Sequence, residues 1–245
     1  MFVYEKKLQY PIRIANPNPQ LAAVIISQYG GPDGELGASL RYLSQRYSMP
    51  YPELKGLLTD IGTEELGHLE MVGTIVHQLT RTLTQEQIES AGFANYFVDH
   101  TAGVYPQAAS GTPWSAATMA VTGDPIADLT EDLAAEQKAR VTYDNILRIS
   151  DDPDVNDAIR FLREREIVHF QRFGEAKRTR WRVTKRAAEQ NSRKSSKMVA
   201  CGCLILKSMV MGARPLTASF LRFPQCGHPS SERSCHSVRQ SKGRV

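Results

Sequence analysis

Cysteine is absent from residues 1–176 of this 245-residue chain, and all four cysteines lie in residues 177–245. A segment without cysteine gives no support to an oxidising compartment. In the tail, Cys201 and Cys203 are separated by a single residue, whereas zinc and redox sites usually have two residues between paired cysteines. We therefore expect no metal site built from these cysteines.

Long apolar runs are also missing. Residues 1–10 contain no apolar core of signal-peptide length. Residues 199–213 are fairly apolar, but the segment is short and is interrupted by Lys207, so it does not have the length of a membrane span. These absences predict a soluble, intracellular protein with no membrane partner.

Charge divides the chain at the same place as cysteine. Residues 1–176 carry 14 Lys and Arg against 24 Asp and Glu, whereas residues 177–245 carry 16 against 2. We predict one domain over 1–176 and a basic tail over 177–245 that is disordered and derives from a shifted reading frame or a fusion. A nucleic-acid-binding tail is the functional alternative, since the charge suits phosphate, but aromatic interleaving and a fold motif are both missing.

Helical periodicity dominates the acidic part of the chain. Residues 52–80 repeat apolar side chains at alternating spacings of four and three, which is typical of a helix with one face in a bundle core. Asp124 and Asp152 each precede a proline and so predict the starts of two further helices. Helices are also expected over about 20–29 and 35–47, with a Gly- and Pro-rich interruption between them. The predicted fold class is all-α, a ferritin-like four-helix bundle.

Charged side chains stand on the inward stripes of these helices. The pattern Glu-x-x-His occurs on two of them, where a bundle core normally has apolar residues. An unpaired buried charge costs on the order of several kcal/mol, so a partner must neutralise it. A Glu and a His three residues apart can bind one cation from one helix face. The inward donors are Glu35, Glu65 with His68, Glu136, and Glu166 with His169.

This set is the ligand scheme of dimetal carboxylate bundles, with one Glu from each of two helices and Glu-x-x-His from each of the other two. Carboxylates can bridge and neutralise two divalent ions, while imidazoles take terminal positions and leave room for an exogenous oxygen ligand. By itself, Glu35 is equally well explained as a solvated carboxylate at the start of a helix, where the helix dipole favours it. The Gly- and Pro-rich interruption before it leaves open which side of the helix it faces. Ferroxidases, oxygen-activating di-iron enzymes and catalases share the scheme, so these residues alone leave the reaction open.

Five segments resemble the manganese catalase family, and the similarity is greatest to its CotJC-like spore-coat branch. They are residues 16–31, 35–42, 64–70, 135–140 and 163–174, in the same order and spacing. The resemblance covers residues 1–176 and stops at the basic tail.

The resemblance implies a ligand set and neighbouring functional residues. The implied metal ligands are Glu35, Glu65, His68, Glu136 and His169, with Glu65 as the bridge. Glu166 is then a proton relay outside the ligand set, although a symmetric di-iron scheme would make it a ligand. Tyr42 resembles the family's tyrosine that hydrogen-bonds near the ligand of the first helix. Arg140 is a candidate partner of a ligand carboxylate or of Glu166, and an ordinary buried salt bridge is the alternative.

The implied activity is disproportionation of hydrogen peroxide to water and dioxygen by two manganese ions that cycle between doubly reduced and doubly oxidised states. An iron-loaded ferroxidase or oxidase is the alternative enzyme. A spore-coat structural component with a stabilising dimetal site is the alternative outside catalysis. The resemblance also implies a homo-oligomer, typically a hexamer, located in the cytoplasm or in a spore coat with other coat proteins as partners.

Overall fold

The chain folds as a helical protein in a computed structural model, which describes residue 5, residues 7–101 and residues 103–211. Side chains at several positions from 181 onwards lie outside the described part. None of the helices described combines the length and the apolar character that a membrane crossing requires. The helices are α1 (Pro19–Gly30), α2 (Glu35–Ser48), α3 (Pro52–Thr80), α4 (Gln85–Ser90), α5 (Ala94–His100), α6 (Pro125–Ile149) and α7 (Pro153–Met211), with a 3-10 turn at Ala116–Thr118.

Local capping chemistry determines where the bundle helices begin. Asp124 accepts hydrogen bonds from the N–H groups of Ile126 and Ala127, and Pro125 occupies the first helical position of α6. Asn18 caps α1 in the same way. These side chains satisfy N–H groups that have no partner within the helix. The helix starts predicted for α3, α6 and α7 are confirmed.

In the described part of the chain, four long helical segments make up the bundle. The first consists of α1 and α2, which are separated at residues 31–34 and both pack against α3. The others are α3, α6 and α7. At the end of α1, a Cβ atom on Gly30 would overlap the backbone of Pro106 and Gln107. Glycine therefore allows the segment that precedes α6 to lie directly against the first bundle segment.

Two apolar clusters fill the bundle on either side of a polar layer. One cluster draws on α1, α3, α6 and α7, and the other on α2, α3, α6 and α7. Along α3, the second cluster ends at Ile61 and the first begins at Met71. Along α7, the first cluster ends at Leu162 and the second begins at Phe173. The layer between them holds the candidate site.

α7 passes through the boundary predicted at residues 176–177 and continues to Met211. Residues 177–211 contain no proline, so local propensity allows the helix to continue although the charge changes. The chain divides into compact units at Met1–Asn191 and Ser192–Val245. Residues 212–245, with Cys226 and Cys235, lie outside the described residues, and the origin and disorder of the tail stay predictions.

Candidate metal centre

The six donors predicted from the sequence meet in the polar layer of the bundle. All six side chains are buried, with at most 2% of their surface exposed. α2 and α6 each supply one glutamate, and α3 and α7 each supply a Glu-x-x-His pair. The six residues are Glu35, Glu65, His68, Glu136, Glu166 and His169.

Glu65 lies at the centre of this cluster. Its Oε2 atom is 2.7 Å from Nδ1 of His68, and its Oε1 atom is 2.7 Å from Nδ1 of His169. A further carboxylate faces each imidazole. Oε2 of Glu35 lies 3.8 Å from Nδ1 of His68. Oε2 of Glu136 lies 3.7 Å from Nδ1 of His169. The donors therefore form two candidate half-sites that share the carboxylate of Glu65.

Several donor atoms have no hydrogen-bond partner among the described residues. These unpaired atoms are Oε1 of Glu65, Nδ1 of His169, Oε2 of Glu136 and Oε1 of Glu166. The first two lie 2.7 Å apart but do not form a hydrogen bond with each other. A buried polar atom without a partner costs about 1–3 kcal/mol. The ligand atoms of Glu65, His68 and His169 lie within 4.8 Å of one another. Carboxylate oxygens and imidazole nitrogens gathered in this way fit divalent transition-metal ions, which would use the unpaired atoms.

The electrostatics of the site also favour cations. Burial alone lowers the pKa of His68, but the charge of Glu65 raises this pKa to about 10. At His169, burial again lowers the pKa and the charge of Glu65 again raises it, and the pKa rises to about 12. Burial raises the pKa of Glu35 and of Glu166 well above the usual range, and neighbouring carboxylates raise both further. Burial and the mutual repulsion of the carboxylates therefore both disfavour their charged forms, and divalent ions would relieve that repulsion.

Two tyrosines cross between the helices to hold the outer glutamates. The hydroxyl of Tyr42 donates to Oε1 of Glu136 at 2.5 Å. The hydroxyl of Tyr143 donates to Oε1 of Glu35. The resemblance placed Tyr42 near the ligand of its own helix, but a residue seven positions further along is displaced by about 10 Å on the helix axis. Tyr42 therefore reaches the glutamate of the facing helix, and Tyr143 does the same in the opposite direction.

Glu166 lies on the side of the cluster that holds Glu35. One of its carboxylate oxygens lies within 4.8 Å of donor atoms of Glu35, Glu65 and His68. Its Oε1 has no hydrogen-bond partner in the described part of the chain. This position is compatible both with a ligand and with a proton carrier beside the ligands.

Arg140 lies outside the site. Its Nη1 pairs with Asp144 at 2.5 Å and its Nε donates to Gln137 at 2.9 Å. Arg140 lies on the same helix face as Glu136, but its guanidinium is held by Asp144, which also pairs with Arg163 of α7. The predicted pairing with a ligand carboxylate or with Glu166 is wrong.

Glu64 is a neighbour of the site that sequence reasoning missed. Its Oε2 lies 3.0 Å from Nε2 of His169, and its Oε1 lies 3.6 Å from Nε2 of His68. The residue is off the inward stripe of α3, so periodicity gives it no special status. Only the doublet that it forms with Glu65 distinguishes it in the sequence. Tyr143 was also missed, although it stands on the inward stripe of α6, because an aromatic residue there is normally part of the core.

A four-helix bundle with carboxylates and two histidines in its interior defines a ferritin-like protein with a candidate dimetal centre. The family model for manganese containing catalase matches residues 1–185, which extends past the boundary predicted at residue 176. The chain therefore belongs to the manganese-containing catalase family.

The chain is also similar to individual known proteins. Protein CotJC of Bacillus subtilis is 57% identical over 176 residues, which are 72% of this chain and 93% of that protein. A probable manganese catalase of Clostridium acetobutylicum is 37% identical over 178 residues, which are 72% of this chain and 79% of the relative. The crystal structure of KatB, a manganese catalase from Anabaena, superimposes with a TM-score of 0.67 at 34% identity and covers 72% of this chain and 79% of KatB.

Proposed function

We propose that the chain is a dimanganese catalase, which converts two molecules of hydrogen peroxide into two of water and one of dioxygen. The observation that carries the proposal is the position of Glu65, whose two carboxylate oxygens each lie 2.7 Å from one imidazole. Glu35 and Glu136 face the same two imidazoles from the outer sides. Two half-sites with a shared carboxylate suit a reaction that exchanges two electrons at a time.

Five residues would hold the metal pair. We assign Glu65 as the shared ligand, with one imidazole and one outer glutamate completing each half-site. When bound, the two manganese ions would supply the electrons that one peroxide takes up and that the other returns. The proposed ligands are Glu35, Glu65, His68, Glu136 and His169.

Side chains around the ligands would handle protons and orientation. The peroxide that is reduced takes up two protons and two electrons and gives two waters, and the peroxide that is oxidised releases the same number as it becomes dioxygen. Glu166 would hold a proton beside the reacting oxygens, and this role is supported by its buried Oε1, which has no hydrogen-bond partner among the described residues. Tyr42 and Tyr143 donate to Glu136 and Glu35 and so fix the orientation of both carboxylates.

Oxygen evolution from hydrogen peroxide tests the proposal. We expect the full chain loaded with manganese to release one dioxygen for every two peroxides consumed, and the iron-loaded chain to release none. Two bound manganese ions, a higher melting temperature and no oxygen would instead favour a structural role for the metals. Oxidation of added Fe²⁺ without peroxide turnover would favour a ferroxidase. Either result would overturn the catalase proposal.

We further propose that the functional form is a homo-oligomer with hydrogen peroxide as its small-molecule substrate. The hexamer and the spore-coat location that the family resemblance implies stay predictions. Native mass spectrometry of the manganese-loaded chain would give the number of subunits directly.

Glu166→Gln is expected to separate a proton carrier from a ligand. The amide has nearly the same volume as the carboxyl group but cannot exchange a proton, and a positioned acid or base contributes about 100-fold or more to a rate. We expect oxygen evolution to fall about 100-fold while the protein keeps two manganese ions per chain. Glu164→Gln on the exposed side of the same helix should leave both quantities unchanged. A manganese content that falls to one or zero in Glu166→Gln would show that Glu166 is a ligand.

A further inference from the structure

One carboxylate lies behind both imidazoles of the candidate metal centre. The rings of His68 and His169 are nearly parallel, with an angle of 20° between their planes and 5.6 Å between their centres. Nδ1 of each ring lies 2.7 Å from a carboxylate oxygen of Glu65. Nε2 of each ring faces Glu64 instead. In His169 the 3.0 Å separation is a hydrogen bond. In His68 the separation is 3.6 Å, and this Nε2 has no hydrogen-bond partner among the described residues. The two adjacent glutamates of α3 therefore lie against opposite nitrogens of the same two rings.

Glu64 is itself held from two directions. Arg165 donates from Nε to Oε1 at 2.7 Å and from Nη2 to Oε2 at 3.2 Å. Gln9 donates to Oε1 at 2.9 Å from the segment that precedes α1. Paired hydrogen bonds from an arginine to a carboxylate fix the orientation of both groups.

We propose that Glu64 is a shared positioning residue, which accepts from Nε2–H of His169, lies behind Nε2 of His68, and so presents Nδ1 of both rings to the metal ions. A neutral imidazole that carries its proton on Nε2 has its lone pair on Nδ1, and a carboxylate behind the ring favours this tautomer. One side chain thus sets the tautomer and the ring orientation of two ligands. Because the contact with His169 is shorter, Glu64 controls that ring more strongly than it controls His68.

The approximate symmetry of the two Glu-x-x-His helices supports this role. Glu64 precedes Glu65 on α3, and Arg165 precedes Glu166 on α7. A second glutamate in place of Arg165 would put two like charges behind the rings. Arg165 carries a positive charge and pairs with Glu64. Glu64 is therefore the carboxylate that lies behind both histidine rings.

This inference depends on the metal ligands assigned in the proposed function but not on peroxide chemistry, so its test uses zinc, which is diamagnetic. The full chain would be loaded with zinc and labelled with ¹⁵N at histidine for NMR. In the unchanged protein we expect two Nε2–H signals that exchange slowly with water because both rings are buried, with the signal of His169 further downfield because it is hydrogen-bonded to Glu64. In Glu64→Ala we expect the signal of His169 to move upfield and to exchange at least about tenfold faster, with a smaller change for His68. Zinc affinity should fall by about 10- to 100-fold, as is typical when a partner behind a ligand is removed.

Asp60→Ala is the matched control. Asp60 pairs with Arg172 at 2.5 Å and, like Glu64, joins α3 to α7, but its side chain is 64% exposed and it touches neither histidine. This variant should keep both NMR signals and the zinc affinity of the parent protein.

Glu64→Gln gives a second test that is independent of the loss of side-chain volume. Its amide has one acceptor oxygen, so one Nε2–H signal should keep its downfield position and slow exchange while the other loses them. The proposal is overturned if both signals keep their positions and exchange rates in Glu64→Ala and in Glu64→Gln, or if the zinc affinity of Glu64→Ala stays within twofold of the parent. None of these readings uses oxygen evolution, so a chain without catalase activity would still decide the role of Glu64.

Discussion

Glu65→Gln is expected to abolish oxygen evolution and to prevent the binding of a metal pair. An amide offers one oxygen donor and no negative charge, so it cannot replace a carboxylate whose two oxygens face one imidazole each. Metal ions typically contribute several kcal/mol to the stabilisation of a transition state. Since about 1.4 kcal/mol corresponds to a tenfold change in rate, we expect the rate to fall by at least about 1,000-fold.

The measurement pairs manganese content with oxygen evolution. Glu53→Gln is the control, because Glu53 lies in the first turn of the same helix and is largely exposed. We expect two manganese ions per chain and full activity in the control. A Glu65→Gln protein that keeps both ions and more than about a tenth of the parental rate would contradict the bridging role.

Removal of the metal is expected to give the second large effect, a marked loss of stability. Four buried glutamates converge at this centre, and burial raises the pKa of Glu35 and Glu166 because their charged forms are poorly solvated. Metal ions that bind only the folded chain would relieve this cost. At concentrations about 100- to 1,000-fold above Kd, each site would add about 3–4 kcal/mol to the free energy of unfolding. For a domain of this size that corresponds to an increase of roughly 10 °C or more in Tm.

Calorimetry of the manganese-loaded protein before and after chelation would measure this difference. Glu65→Gln serves as the reference, because its Tm should not respond to manganese or to the chelator. Equal melting temperatures for the loaded and the chelated parent protein would show that the acidic layer is stable without metal.

The bundle was predictable because its signals are local. Proline after a capping aspartate marks the start of α6, and the alternating apolar spacing of α3 identifies one buried face. Polar residues on a buried face then predict the donors, because a buried charge needs a partner. Glu35 is the least secure of these predictions, because the break at residues 31–34 leaves open which side of the helix it faces. The structure shows that α2 begins at this residue.

Contacts between helices could not be predicted in the same way. Tyr143 occupies a core position, and only the packing of α6 against α2 shows that its hydroxyl reaches Glu35. Arg140 is one turn from Glu136, but it pairs with Asp144 one turn further on, and Asp144 also pairs with Arg163 of α7. Glu64 lies off the inward stripe and gains its importance from two rings on different helices. The contacts of Tyr143 and Glu64 are made to partners that are distant in the sequence.

Composition indicated a change near residue 176 but could not give the local structure beyond it. Charge and cysteine both change there, yet neither property stops a helix, and α7 continues to Met211. Helix propensity depends on the residues themselves, and proline is absent from this stretch.

Anomalous diffraction at the manganese edge from crystals of the manganese-loaded chain tests the central claim most directly. We expect two manganese peaks within the bundle, with Glu65 between them. His68 should bind one ion through Nδ1, and His169 should bind the other through Nδ1. A single peak, or two peaks away from these residues, would contradict the assignment of the buried acidic layer as a dimanganese centre.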